Sequence, residues 1–292
     1  GVNDRTQRSS PVQVPGSTWR TFSRRGYTSG DSTKTAIRSD GTLWTWGANW
    51  HGALGLNQPV ATYYSSPVQI PGTTWAQVAG IMRVLAVKTD GTMWAWGYQS
   101  AGELGLNEEA GRKSSPTQIP GTTWSSGDGK LCRGFDSFNI KTDGTLWGWG
   151  GNAYGSLGQN NTTYYSSPVQ IPGTTWNVIT SSSHASYAIK TDGTLWVWGD
   201  NEYGRLGLNT VEGTRYSSPV QIPGTTWGDI QSGSNTVYGI KTDGTLWAWG
   251  TNIHGSLGQN NLTKYSSPVQ IPGTTWKVFG NAMGEGSVGA LK

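Results

Sequence analysis

The sequence has a single cysteine, Cys132. That excludes an internal disulfide framework and any zinc site built from several cysteines. Charge is also scarce, with Asp, Glu, Lys and Arg making up 13% of 292 residues and a net charge of +4. A nucleic-acid binder carries a dense basic stripe, so nucleic acid is not an expected partner. Long apolar runs are missing too. The longest, Ala76 to Val87, contains Gln77 and Arg83. A membrane-spanning helix needs about 20 apolar residues, so no membrane insertion is expected. No signal peptide is visible, and the chain begins at Gly1 rather than Met, as a processed chain, trimmed segment or fragment would.

Glycine and tryptophan are abundant, at 44 and 17 residues. Glycine stands at about twice its usual share, which argues against long helices or coiled coil. The aromatic content excludes disorder. Together they ask for short strands and tight turns.

An internal repeat organises the chain. Asp40-Gly41-Thr42-Leu43-Trp44-Thr45-Trp46-Gly47 recurs from Asp90, Asp143, Asp192 and Asp243. Pro67-Val68-Gln69-Ile70-Pro71-Gly72-Thr73-Thr74-Trp75 recurs from Pro116, Pro168, Pro219 and Pro268, with a variant at Pro11. A glycine-rich loop comes after each tryptophan pair, as in Asn152-Ala153-Tyr154-Gly155-Ser156-Leu157-Gly158. Each repeat reads as four short strands: Pro-Val-Gln-Ile, Thr-Thr-Trp with the residues after it, a segment such as Tyr187 to Lys190, and Thr194 to Trp198. Asp192-Gly193 between the last two predicts a two-residue hairpin with positive φ at both positions. Four strands per repeat of about 50 residues predict an all-β fold, a β-propeller of about six repeats with six or seven blades, each of four short antiparallel strands. A linear β-solenoid is the rival architecture.

These residues resemble the repeat of the regulator of chromosome condensation family. The resemblance is clearest in Ser183 to Ile189, Asp192-Gly193, Trp198-Gly199 and Asn201 to Gly207, and covers essentially the whole chain. It implies the propeller fold, usually with seven blades. It implies function poorly, because propellers host unrelated activities. The family's founding member exchanges nucleotide on a small GTPase through an inserted hairpin and binds chromatin through a basic tail. Neither feature is evident here. A related propeller inhibits β-lactamase.

Residues 1–292 read as a single propeller domain. Gly1-Val2-Asn3 matches Gly55-Leu56-Asn57, and Lys292 matches Lys241. The counterpart of Thr242 to Leu257 is therefore missing at the seam. Either the ring closes with a gap in one blade, or a flanking chain or partner supplies the strand.

Ten tryptophans lie in Trp-x-Trp pairs, and Trp19, Trp75, Trp124, Trp176, Trp227 and Trp276 recur with the repeat. Recurring tryptophans are expected in the core. Trp50 alone falls outside the repeat and is a candidate ligand contact. The Asp-Gly turns offer one carboxylate each, too few for calcium. His51, His184 and His254 lack metal-ligand spacing. No metal, cofactor or catalytic residue is expected.

Function is sought where nearly identical copies differ, between the repeat tryptophan and the next Lys or Arg. The divergent positions include Met82, Arg83, Arg133, Phe135, Asp136, His184, Asn235 and Glu285, with Arg24-Arg25 and Lys130 nearby. In a radial array these would form a ring of mixed chemistry on one face, suited to an asymmetric protein or glycan partner. Drift in exposed loops is the alternative. The expected function is a non-enzymatic binding or display module, extracellular, on a cell surface or on a virion fibre. The alternatives are family-like nucleotide exchange with chromatin binding, a protein inhibitor, and a structural spacer.

Overall fold

The computed structural model describes residues 10–22, 33–133, 136–182, 184–279 and 290–291. The chain divides into two compact units, residues 1–127 with 165–167 and residues 128–164 with 168–292.

Five four-stranded antiparallel sheets account for nearly all the regular structure. The first unit holds Trp19–Phe22, Lys34–Arg38, Leu43–Ala48 and Tyr63–Ile70, then Trp75–Gly80, Arg83–Lys88, Met93–Gln99 and Gly111–Ile119. The third sheet comprises Leu131–Arg133, Ser137–Ile140, Leu146–Gly150 and Tyr165–Ile171. The second unit continues with Trp176–Ser181, Ala185–Lys190, Leu195–Asp200 and Arg215–Ile222, then Trp227–Ser232, Thr236–Lys241, Leu246–Gly250 and Tyr265–Ile271. A sixth repeat contributes the pair Val278–Phe279 and Ala290–Leu291. The strands keep chain order within each sheet, as in propeller blades. The Pro-Val-Gln-Ile segment therefore ends the fourth strand of one blade rather than opening a new one. No helix among the described residues is long and apolar enough to cross a membrane.

The Asp-Gly turn differs from the expected two-residue form. Gly193 has φ +78°, but Asp192 does not share the left-handed conformation. Gly193 N–H bonds to Lys190 O at 3.0 Å, closing a four-residue turn ahead of the glycine. The Asp192 carboxylate accepts the N–H and hydroxyl of Thr194, so the aspartate is held by its side chain. Thr-Thr likewise lies outside the next strand. Thr175 has φ +66°, and Trp176 N–H reaches back to Gly144 O of the preceding blade at 2.9 Å.

Neighbouring blades within a unit are joined by tryptophan. The second Trp of a pair is buried, as at Trp96, Trp198 and Trp249. Its indole N–H donates to the preceding repeat's loop: Trp96 to Ala53 O, Trp198 to Ser156 O and Trp249 to Arg205 O. The strand-opening Trp packs edge-on against both members of the pair, with ring centroids of Trp176 6.3 Å from Trp196 and 6.1 Å from Trp198. Such contacts add about 0.5–1.5 kcal/mol each beyond area burial. The first Trp of each pair is only half-buried. It donates to the turn threonine, and a basic residue lies over its face, as Lys190 does 4.5 Å from the Trp196 centroid. The sixteen recurring tryptophans thus divide into buried rings and clamped, half-covered ones.

The loop after each pair is ordered by its asparagine. Asn152 Oδ1 accepts Leu157 N–H, while its amide donates to Asn161 O and Thr163 O. Asn49, Asn201 and Asn252 do the same for their loops' leucines. Gln99 replaces asparagine in the second sheet and still accepts Leu104 N–H.

Glycine after the tryptophan pair has a steric cause. Gly199 has φ +100°, and a Cβ there would stand 2.3 Å from His184 O. Gly213 has φ +77° but open space around it. Gly213→Ala is expected to cost about 1–2 kcal/mol for the left-handed backbone alone. Gly199→Ala should cost about 1–3 kcal/mol more, from the overlap with a backbone carbonyl. Thermal or urea unfolding of the two variants checks this difference.

Candidate functional site

The described divergent positions lie in or at the edge of the hairpin connections between the first and second strands of the sheets. At this end the loops after the tryptophan pairs come alongside them. One contact recurs. The carbonyls of Met82, His184 and Asn235 accept the N–H groups of Tyr98, Asp200 and Thr251. The backbone is shared by the copies, while the side chains differ.

The next residue along points inward in several copies. Ala185 and Thr236 are buried. Thr236 Oγ1 donates to Thr251 O at 3.2 Å. Arg83 in the first unit is ion-paired with the nearly buried Glu103. The Glu103 carboxylate also accepts the N–H groups of Ser100 and Ala101, each at 2.8 Å. Burial pushes the Glu103 carboxyl up, but Arg83 and these N–H groups outweigh it and hold the group below its ordinary value. Arg83 is thus occupied in holding a loop of its own blade. Asp136 is buried, and Met82 and Asn235 are half-buried. The Arg133 backbone ends a strand. Phe135, Glu285 and Arg24-Arg25 lie outside the described residues.

His184 has the richest surroundings. Its ring stacks on Tyr154 with centroids 4.0 Å apart. The Arg215 guanidinium covers Tyr154 at 4.6 Å from the ring centroid and lies 3.6 Å from Asp200. Asp200 is buried and bonds Arg205 at 2.9 Å, and Arg205 also reaches Glu202 at 3.0 Å. Tyr187 closes the floor by donating to Arg205 O at 3.1 Å. Burial pushes the His184 pKa below its ordinary value, Arg205 and Arg215 push the same way, and Asp200 and Glu202 oppose them. The result is a half-exposed stack of neutral imidazole and phenol beside an exposed arginine. It can offer a flat aromatic surface and a guanidinium fork to an incoming group.

Trp50 lies in the first unit, 43% exposed, with its ring edge-on to Tyr63 at 5.6 Å. Its neighbour His51 meets Tyr98 at 5.0 Å. Sequence comparison among the repeats missed Tyr154, Asp200, Arg205 and Arg215 as site residues. The usable signal was the departure of Asp200 and Arg205 from the small or neutral residues that most other copies carry there. Among the described residues no group of three His, Cys, Asp or Glu could hold a metal ion.

The family model of the Regulator of chromosome condensation (RCC1) repeat matches residues 40–80, 143–188, 192–238 and 243–291, well over half of the chain. The chain belongs to the RCC1 repeat family. The Asp90 copy of this RCC1 repeat lies outside the matched residues, yet its sheet has the same strand order and turn. No curated protein matches the sequence. Among solved structures, human WBSCR16 is similar at 22% identity and a TM-score of 0.68, covering 82% of this chain and 65% of that one. This RCC1 repeat chain therefore spans less than two thirds of the human protein's length. Yeast RCC1 (Prp20), solved bound to Kap60, is similar at 16% identity and a TM-score of 0.53, covering 93% of this chain and 79% of that one. A second structure of Prp20p from Saccharomyces cerevisiae gives 16% identity and a TM-score of 0.51, covering 88% and 77%. At these identities the likeness shows the fold: an all-β propeller with five four-stranded blades among the described residues. That fold supports a non-catalytic binding scaffold.

Two expectations arise for the His184 cluster. Arg205→Met leaves Asp200 buried without its closest cation and should destabilise by about 3–5 kcal/mol. Adding Asp200→Asn should recover part of that loss, read by a double-mutant unfolding cycle. A base whose folded pKa is depressed gives stability present above its unfolded value and lost as pH falls toward the folded one. Between pH 7.5 and 5, the wild-type melting temperature should therefore fall more than that of His184→Phe, which keeps the stack without the titration.

Proposed function

We propose that the chain is a non-enzymatic recognition scaffold whose partner is a protein or surface glycan, displayed extracellularly on a cell surface or virion fibre. The observation that carries this reading is the contrast within the repeat. Backbone and tryptophan framework recur from blade to blade, while one loop end carries polar and aromatic groups that vary among the copies and come together at Tyr154, His184 and Arg215. Flat aromatic rings and arginine are the residues that anchor interfaces. Low charge and abundant small polar residues suit an exposed scaffold.

The test is to immobilise the full chain and probe glycan and cell-surface protein panels from bacterial and eukaryotic sources. A partner whose binding drops at least tenfold in Tyr154→Ala and Arg215→Ala, with unfolding curves near wild type, supports the reading. A partner unaffected by both variants moves the site elsewhere. No binding across the panels overturns it.

A second reading draws on the fold neighbours. One yeast RCC1 structure is a complex with Kap60, and the other concerns binding to Gsp1p and histones. This reading makes the chain a nucleotide-exchange or chromatin-binding regulator. Accelerated nucleotide release from a small GTPase, or retention on histones, would favour it over surface display. An inhibitor role would appear as a protein target whose enzyme activity falls on binding.

A further inference from the structure

The clamp of two tryptophans around a basic residue recurs from sheet to sheet. In the first unit, at the Asp-Gly end of the second sheet, it opens onto a cavity of about 390 Å³. That lies within the range of about 300–1,000 Å³ typical of small-molecule sites. Its walls include Leu56, Pro71, Trp75, Lys88 and Trp94. Trp75 and Trp94 meet edge-on at 6.3 Å, and the Lys88 ammonium lies 4.8 Å and 4.6 Å from their centroids. Among the described residues Lys88 has no salt-bridge partner. The nearby Asp90 carboxylate is held by the N–H and hydroxyl of Thr92.

Two donors converge at this wall. The Trp75 indole N–H is buried and finds no acceptor. Trp75 Nε1 and Lys88 Nζ each stand 3.7 Å from the position a Cβ on Gly72 would take. Glycine adds no side chain at this corner, so an anionic oxygen can approach the ammonium from that side. The buried indole N–H recurs without an acceptor at Trp176 and Trp227 of sister repeats, so the ammonium is what an anion would find here.

The copies differ at one position of this lining. Gln159 and Gln259 stand where this repeat has Leu56 and two others have Leu106 and Leu208. Gln159 Nε2 donates to Gln170 O at 2.9 Å and Gln259 Nε2 to Gln270 O at 3.0 Å, which ties the amide across the neighbouring strand. Leu56 can make neither bond and presents methyl groups instead. The neutral polar groups of the lining are Asn57, Gln69 and Ser115.

We propose that this cavity binds a single-ring sugar carrying a carboxylate, a uronic acid. The carboxylate sits at the Lys88–Trp75 corner. The C–H face of the ring lies on Trp94. The hydroxyls meet Asn57, Gln69 and Ser115. This site stands independently of the His184 cluster, which belongs to the other unit, and the two can fail separately.

The experiment titrates the full chain with glucuronate, glucose and benzoate, using calorimetry and saturation-transfer NMR. Glucuronate is expected to bind at least tenfold more tightly than glucose or benzoate. Lys88→Met should reduce glucuronate affinity to the level of glucose. Leu56→Gln, which copies the plug used by two sister repeats, should abolish both sugars with circular dichroism and melting temperature unchanged. Unchanged glucuronate binding in Leu56→Gln removes the cavity as the site. Equal binding of glucose and glucuronate removes the carboxylate from the assignment, and tighter binding of benzoate removes the sugar. No binding of any probe overturns the proposal.

Discussion

The indole N–H that reaches a carbonyl of the preceding repeat is the contact on which the blade-to-blade packing of this chain depends. A four-stranded sheet of this size has two faces to cover and cannot do so alone. Trp96, Trp198 and Trp249 solve this by lying between sheets and donating to Ala53, Ser156 and Arg205. A tryptophan buried without an acceptor would forfeit much of what its area gains. The acceptor must therefore be delivered accurately, which explains the loop after each pair. Asparagine gathers that loop through its amide, leucine plugs it, and its carbonyl is aimed at the next blade. Packing and hydrogen bonding act at the same place, so one repeat's loop is part of the next repeat's core.

This dependence explains what could be read from residues alone. A constraint repeated in every blade leaves five or six copies of its trace. The tryptophan pairs, the Asp-Gly turns and the Asn-x-x-Gly-x-Leu-Gly loops were legible for that reason, and with them the four-stranded blade. Detail set by local backbone energetics was less legible. Asp-Gly suggested a two-residue turn, yet the aspartate is held by Thr194 through its side chain and only Gly193 takes positive φ. The grouping of strands into sheets was also hidden, because a periodic sequence has no preferred starting point.

The candidate site was legible in place but not in composition. Divergence among copies pointed to this loop end, because nothing in the framework fixes those side chains. It could not say which of them face solvent. Arg83 is taken up by Glu103, and Ala185 and Thr236 are inside. The partners that give His184 its character come from elsewhere in sequence: Tyr154 from the preceding repeat, Asp200 and Arg205 from the loop after Trp198, and Arg215 from the fourth strand. A stack and an ion-pair network are products of topology, and single positions compared along a chain do not contain them.

The two ion-paired loops show how a repeat scaffold can accept individuality. Glu103 and Arg205 occupy the same repeat position, which is Ala53, Ser156 or Ser256 in the other copies. A lone charge there would be buried without compensation. In both cases the opposite charge lies within the same blade, Arg83 in one and Asp200 in the other. Each charge is thus neutralised inside its own sheet, and the Arg205 carbonyl still accepts from Trp249 in the next sheet. Exchange of a buried ion pair for well-packed apolar residues of similar volume is often neutral in stability when both partners change together. A blade can therefore gain or lose such a pair without disturbing its neighbours. The groups left over at the edge of the pair, such as Arg215 beside Tyr154, are then available for recognition.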